Sequence, residues 1–594
     1  MTSTRLREAF GAAALAGLGV GLRLAFGAAF PTEPVSDFRG LVMFGLRLRD
    51  EGLAVPGWHW VQFNPGLPLF LSGLFRVFPH HVAAVARVAT ALATGLVPLL
   101  PYAQWRAALP WRTRFLAGLL LAAWPGLVFF SGVPAQENWA LLPTVALAAL
   151  AVGRLRDPEG RAHPVAAGLL FALAAAIRQE MLLLLAPAAV VAAGLPGKRF
   201  GRASRALRLA AAAAIPLLAL AAERREATGR FAVTTEHGGI TALGTLVPGS
   251  AAAGWTDPTL YVVSMEPAML RNPGRMRSAT WRLARAEALR RWRFHAFRAA
   301  AAGLRLSVES DAQNLFWAVE APGALPESKI AAGASWARAV RPWLRVELAL
   351  ASGFFLAALV RGVRRRDPAI LLLSATVLLR FLALIVFSPL GRLMVPTVAL
   401  ELLTIAIAIG DPAQTNRRRV AGFAGLGLCA AAILLTIEPP LDRLVIRKDE
   451  PAPTVRIFPL GIAGAPGAFA DCEIENGRLT AYSGDRAWLG PTDGSSAGAF
   501  RAECRLPTPL PDGMLGLDCE EGAGGRLDVE VDGRPTTGGH GLPESSWRRV
   551  DIAEASTGPR AVVLAGSTAG SRVGFGLVLV RPGAAPLPRH RTLP

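Results

Sequence analysis

Five charged side chains in this sequence stand where charge is costly, at the edges of long apolar runs: Asp37, Glu137, Arg178, Glu180 and Arg392. An ionisable group at a membrane boundary is expensive unless it is paired or used. Asp37 lies in Val35-Ser36-Asp37-Phe38-Arg39-Gly40, ahead of the helically spaced stretch Leu41–Leu53. A carboxylate there could serve as general base on a hydroxyl or amine, or hold a divalent cation. The plainer alternative is a helix cap formed by Ser36 or Asp37. Glu137 follows Ser131-Gly132-Val133-Pro134-Ala135-Gln136 at the start of another run. It either complements the helix macrodipole or, beside Asp37, divides acid and base roles or shares a metal. Arg178-Gln179-Glu180 separates two apolar runs, and Arg392 lies in Pro389-Leu390-Gly391-Arg392-Leu393-Met394-Val395-Pro396. Each arginine suits a bidentate grip on a lipid phosphate, or else snorkels from a tight turn. Trp58, His59 and Trp60 cluster beside Pro65-Gly66, as an interfacial aromatic belt or as a stacking surface for a sugar or isoprenoid.

The elements that must position these groups are apolar helices. Candidate spans lie near 9–30, 82–101, 114–131, 139–153, 164–177, 181–195, 207–222, 344–361, 369–387, 393–410 and 420–437. The run Leu67–Phe78 is too short to cross and reads as an interfacial or re-entrant helix. Composition agrees. The 594 residues are 52% hydrophobic and only 18% charged, with mean hydropathy +0.38, yet 63 Lys and Arg against 43 Asp and Glu leave a net charge of +20. That balance excludes intrinsic disorder and argues against a nucleic-acid binder, whose arginines would cluster on a soluble surface.

The basic residues fall in alternate loops: Arg5 and Arg7; Arg106, Arg112 and Arg114; Arg154, Arg156 and Arg161; Lys198, Arg199, Arg202 and Arg205; Arg361, Arg364, Arg365 and Arg366; Arg417, Arg418 and Arg419. The positive-inside rule places all of these in the cytoplasm. Eleven spans then put the N-terminus inside and the C-terminus outside, in the cytoplasmic membrane of a bacterium. The first loop (31–81), a long loop (223–343) and the five charges above share the outer face. Residues 438–594 form a second, extracytoplasmic domain. Strand-like pieces near 477–482, 499–505, 526–532, 547–552, 560–565 and 573–580 predict a small β-sandwich. Of the four cysteines, Cys472, Cys504 and Cys519 fall in this tail, enough for one disulfide and one free thiol, with the pairing open.

The order of these features resembles the GT-C superfamily of polytopic glycosyltransferases, closest to family 39, the protein O-mannosyltransferase-like and aminoarabinose-transferase-like enzymes. The likeness runs through most of residues 1–435. Asp37 stands where that family keeps its first-loop catalytic aspartate, and Asn64-Pro65-Gly66-Leu67-Pro68-Leu69 looks like its Pro-rich lead into a short helix. Arg87 looks like the arginine opening its second span, and Glu137, after Trp124-Pro125, like its second acidic position. Arg178-Gln179-Glu180 is similar to an Arg-Pro-Glu turn with the proline missing, and Arg392 with Pro396 to an Arg-Tyr-x-x-Pro element with Leu393 replacing the aromatic.

The resemblance implies transfer of a hexosyl or pentosyl group from a polyprenyl-phosphate donor to a lipid, glycan or protein acceptor, with inversion. Asp37 would deprotonate the acceptor or hold it in place, Glu137 would orient the acceptor or assist a metal, and Arg178, Arg392 or loop residues would hold the phosphate. Family members differ over metal use, so the resemblance fixes no cofactor and leaves a divalent cation as the candidate. The rival reading is a transporter or flippase for a lipid-linked saccharide. It predicts internal repeats and broken helices at the membrane midplane, whereas the polar residues here gather at one face.

Overall fold

The computed structural model of the protein describes residues 3–448 except 56–58, 61–62, 158–162, 194–198, 236–237, 248–272, 322 and 411–416, and beyond 448 the backbone of two β-sheets. All eleven predicted runs are helical, and among the described residues eight helices are long and apolar enough to cross a membrane. They are Ser3–Ala29 (α1), Val82–Gln104 (α4), Gln136–Arg156 (α7), Arg199–Thr228 (α10), Glu327–Arg365 (α14), Pro368–Phe387 (α15), Gly391–Gly410 (α16) and Arg417–Lys448 (α17).

The other three runs fall short for local reasons. The run at 114–131 breaks into Trp111–Ala123 (α5) and Pro125–Phe130 (α6), because Trp124 precedes a proline and takes an extended conformation (ψ 116°). The runs near 164–177 and 181–195 become Pro164–Ile177 (α8) and Gln179–Ala193 (α9), separated by Arg178 alone. Ser36–Asp50 (α2) and Gly66–Val77 (α3) form the first loop; Gly238–Leu246 (α11), Pro273–Arg290 (α12) and Trp292–Leu315 (α13) lie in the long one.

Burial sorts the helices into layers. The most apolar stretch of α16 is 89% buried, whereas those of α10 and α17 are 17% buried. So α16 is the axis of the bundle, and α10 and α17 present Leu and Ile outward, as a lipid-facing surface does. Inside, association rests on close packing of small residues. A Cβ on Gly353 of α14 would lie 2.3 Å from the carbonyl oxygen of Gly427 on α17, so a larger residue would force these helices apart.

Glu137 starts α7 and Arg156 ends it, 21 residues on, roughly 30 Å away at 1.5 Å per residue. At the Arg156 end the charges are paired: Arg156 with Asp367, the N-cap of α15, and Arg114 with Glu8 at 2.7 Å. At the Glu137 end the loop 31–35 is strapped to a π-helical turn, Phe316–Glu320. Thr32 Oγ1 donates to the Ala318 carbonyl (2.7 Å) and the Glu33 N–H to that of Ala324 (2.7 Å).

In the tail, Thr454–Ile457, Ala470–Glu475, Ala497–Arg505, Ala561–Ala569, Arg526–Val531 and Arg534–Pro535, in that spatial order, make one six-stranded sheet. Gly477–Ser483, Arg486–Pro491, Val573–Val580, Met514–Glu520, Trp547–Ile552 and Gly539–Gly541 make another, and all the pairings are antiparallel. The register sets Cys472 directly opposite Cys504 on neighbouring strands, with Cys519 in the second sheet.

Candidate functional site

The five charges singled out in the sequence, from four segments of the chain, form one continuous chain of ion pairs. Arg392 Nη2 donates to Asp37 Oδ2 at 2.7 Å, and Arg392 Nε lies 3.7 Å from Glu137 Oε1. Arg178 Nη1 donates to the same Glu137 oxygen at 2.7 Å, and Arg178 Nε to Glu180 Oε1. Exposure grades along the chain: the Glu137 side chain is 3% exposed and Asp37 is 50% exposed. The chain is therefore buried at its centre, at Glu137, and most open at its Asp37 end.

Each member is held by its own local structure. Asp37 sits in the first turn of α2, after Ser36, whose φ of 50° lies in the left-handed region. Such backbone outside glycine concentrates at functional sites. The expected cap does not form: Val35 is the N-cap residue and no side chain caps the helix. Glu137 is in the first turn of α7, where the macrodipole favours a carboxylate. Beside it, Gln136 Nε2 donates to the Asn64 carbonyl at 3.0 Å. Gly66, two residues on from Asn64, presses on the backbone just before Arg178. A Cβ there would meet the Ala176 carbonyl carbon at 2.7 Å, so only glycine lets this loop close on the end of α8. Thr235 Oγ1 donates to Gln179 Oε1 at 3.0 Å, fastening the long loop to the same turn. Burial works against the Arg178 charge, but Glu180, Glu137 and Asp37 outweigh it and raise the guanidinium pKa above its ordinary value.

Arg392 opens α16 in a short 3-10 turn. The Gly391 N–H donates to Gln313 Oε1 at 2.6 Å, and Arg380 Nη2 reaches the Leu393 carbonyl at 3.4 Å. Its guanidinium carbon is 5.1 Å from the ring centroid of Phe38 and 5.1 Å from that of Trp317, on the π-helical turn. π-turns are frequent at functional sites. Arg392 Nε and Nη1 are buried and have no hydrogen-bond partner among the described residues. Each of these N–H groups can donate to an oxygen of a phosphate or carboxylate, but Nε and Nη1 lie on different edges of the guanidinium and do not form one bidentate fork.

His59 and Trp60 do not join this chain. The two residues are 1% and 0% exposed and pack on Phe44, at ring-centroid distances of 5.1 and 5.6 Å. They fill the core beneath α2, so neither ring offers an exposed face on which a sugar or isoprenoid could stack. Trp58 lies outside the described residues. Among the described residues no three His, Cys, Asp or Glu side chains converge to hold a metal ion.

Sequence reading missed Trp317, Gln313 and Arg380, which set the Arg392 turn. Only Arg380 left a signal, as a lone cation inside the apolar run of α15. It also missed Asp311 on α13, 1% exposed, which accepts from Trp124 Nε1 at 2.7 Å. Burial pushes the Asp311 carboxyl up to about 6, against the pull of the Trp124 and Asn314 hydrogen bonds.

No protein-family model matches the sequence, and no curated protein does. Among solved structures, the fold is similar to the oligosaccharyltransferase AglB of Archaeoglobus fulgidus in complex with an inhibitory peptide and a dolichol-phosphate. The identity is 14% over 75% of this chain and 56% of that one, with TM-score 0.39. The same organism's oligosaccharyltransferase with Zn and sulfate gives 14% identity, 74% and 56% coverage and TM-score 0.40. The arabinosyltransferase EmbB of Mycobacterium smegmatis gives 12% identity, 96% and 64% coverage and TM-score 0.25. This chain spans little more than half the length of the oligosaccharyltransferase. At such scores the residue roles rest on the site itself.

Proposed function

We propose that this chain is a membrane glycosyltransferase that moves a sugar from a polyprenyl-phosphate donor to an acceptor hydroxyl or amine, with inversion at the anomeric carbon. One observation carries the reading. Five charges from four segments of the chain converge at one end of the bundle, with two buried Arg392 N–H groups that make no hydrogen bond among the described residues and a half-exposed carboxylate beside them. A phosphodiester-linked donor needs that pair of features, an anion grip and a base.

The donor phosphate takes the open Arg392 donors, supported by the field of Arg178. Arg392 also binds Asp37, so a phosphate on that guanidinium loosens its hold on the Asp37 oxygen. Donor binding thus readies the base. Asp37 accepts the acceptor proton as the acceptor oxygen or nitrogen bonds to the anomeric carbon. The bond from that carbon to the phosphate oxygen breaks, and polyprenyl phosphate leaves with the electron pair. Glu137, buried between the arginines, fixes both guanidinium groups and orients the acceptor through them. Within this reading the alternating loop arginines put the N-terminus in the cytoplasm and the site outside. The β-rich tail positions the acceptor as a sandwich over the site.

Purified protein in nanodiscs, given a polyprenyl-phosphate sugar and a panel of acceptors, should release polyprenyl phosphate only when donor and acceptor are both present. Acceptor-independent equilibration of intact lipid-linked sugar across a vesicle membrane, with no cleavage, would replace this reading with the flippase.

A further inference from the structure

Arg380 is a cation inside α15, a candidate span, and it is 1% exposed. Its three guanidinium nitrogens reach two other elements. Nε donates to Thr397 Oγ1 at 3.1 Å and Nη2 to the Leu393 carbonyl at 3.4 Å, both on α16, whose opening turn bears Arg392. Nη1 donates to Met181 Sδ at 2.9 Å, in the 3-10 turn that follows Arg178. Met181 is tied back to that arginine, because its N–H donates to the Arg178 carbonyl at 3.0 Å. The same sulfur accepts from Thr144 Oγ1 at 3.6 Å, on α7, the helix that Glu137 starts. Met181, Thr144 and Thr397 are all 0% exposed, so water does not compete for these bonds.

None of the three acceptors is charged, and a buried guanidinium without a bonded counter-charge is costly. Glu180 and Arg178 act on it only through space, with opposite signs. Packing alone would be served by an apolar residue, as it is along the rest of the bundle. What an apolar residue cannot do is hold a hydroxyl, a carbonyl and a sulfur on two elements at once. A planar group with donors on several edges can, whereas the head of a lysine is a single point. The outcome is a second bridge between the two site arginines. Glu137 joins their guanidinium groups, and Arg380 joins the turns that bear them. Such spacing matters, because a misplacement of about 1 Å at a reacting site costs on the order of a hundredfold in rate.

We infer that Arg380 is a positioning residue for the anion grip: it fixes the spacing of Arg178 and Arg392, and with it the affinity for the donor phosphate, without touching the donor. The identity of that anion rests on the transfer reaction proposed above.

The test uses the full chain in nanodiscs and reads affinity for polyprenyl phosphate, the released product, beside donor KM and kcat. Arg380→Met removes the donors at similar bulk, and Arg380→Lys keeps the charge but not the fork. Both should weaken polyprenyl phosphate binding and raise the donor KM by about tenfold, with kcat changed by about threefold at most, the pattern of lost ground-state binding. Because Arg380 is buried, Met181→Leu and Thr397→Val serve as second variants. Each removes one acceptor and keeps the cation, and each should weaken binding by about threefold, on the scale of one hydrogen bond. Wild-type affinity in Arg380→Lys would show that charge alone suffices and overturns the inference. Folded variants with a lower melting temperature but unchanged affinity and KM would make Arg380 merely structural, which overturns it too. A wild-type protein that binds polyprenyl phosphate but releases none from donor and acceptor refutes the transfer reading, and the affinity comparison then still decides the role of Arg380. A wild-type protein that does not bind polyprenyl phosphate overturns both.

Discussion

Asp37→Asn separates chemistry from stability, because the two effects differ in size by orders of magnitude. The Asp37 carboxylate meets Arg392 at 2.7 Å but is half exposed. Two unit charges about 4 Å apart attract by roughly 1 kcal/mol in water and about 4 kcal/mol at an effective dielectric of 20. A half-exposed pair lies near the watery limit, and ordering two side chains offsets part of the gain, leaving about 1 kcal/mol or less. Such a loss lowers the melting temperature by no more than about 2–4 °C. Removing a general base costs about 10²–10⁴ in rate, or roughly 3–5 kcal/mol of barrier. Polyprenyl phosphate release should therefore fall at least a hundredfold while the melt, followed by tryptophan fluorescence, barely moves. Full turnover by Asp37→Asn would refute its role as base. A collapse of turnover together with a large drop in melting temperature would refute the energetic argument, since Asp37 would then be structural.

The remaining predictions probe the supports. Glu137→Gln takes the buried charge from between Arg178 and Arg392; it should destabilise by roughly 3 kcal/mol, since unpairing a buried ion is costly, and an unchanged thermal melt would contradict that burial. Gly66→Ala sets a methyl against the Ala176 backbone and should displace Arg178, raising the donor KM more than it lowers kcat; a pure kcat effect would argue against displacement. The Asp311 carboxyl, raised to about 6, binds its proton more tightly folded than unfolded. Folding stability is therefore lost as pH climbs from about 4 to about 6 and stays lost above, on the order of 3 kcal/mol. Asp311→Asn should flatten that slope and stabilise the protein at pH 7, and an unaltered pH profile would count against the assignment. Partners in an antiparallel register have Cα atoms about 4.5–5.5 Å apart, within disulfide reach. Non-reducing peptide mapping should find Cys472 linked to Cys504; linkage of either to Cys519 would show a different register.

The sequence made the five charges visible because each interrupts an apolar run, where a cation or carboxylate is conspicuous. Their partners were hidden for the opposite reason. Trp317 and Phe38 are ordinary aromatics in a chain rich in apolar residues, and only the π-turn and the α2 start bring both rings to within 5.1 Å of the Arg392 guanidinium carbon. The same blindness hid the burial of His59 and Trp60. An aromatic pair near an interface has one composition whether it faces a ligand or packs beneath a helix. Hydropathy located all eleven runs but not their breaks, since local backbone at Trp124 and Arg178 cuts helices without altering mean apolarity.

The charge chain draws its members from positions 37 to 392, and this has a consequence for biosynthesis. A nascent chain inserts its helices in order, so Asp37, Glu137 and Arg178 enter the membrane long before Arg392 exists. Until α16 arrives, Glu137 has Arg178 alone and Asp37 lacks its guanidinium. The central, most buried helix is thus among the last to be made. A chain halted before residue 391 would hold an incomplete set of charges, with carboxylates and Arg178 at the membrane boundary lacking the cation that completes their pairing.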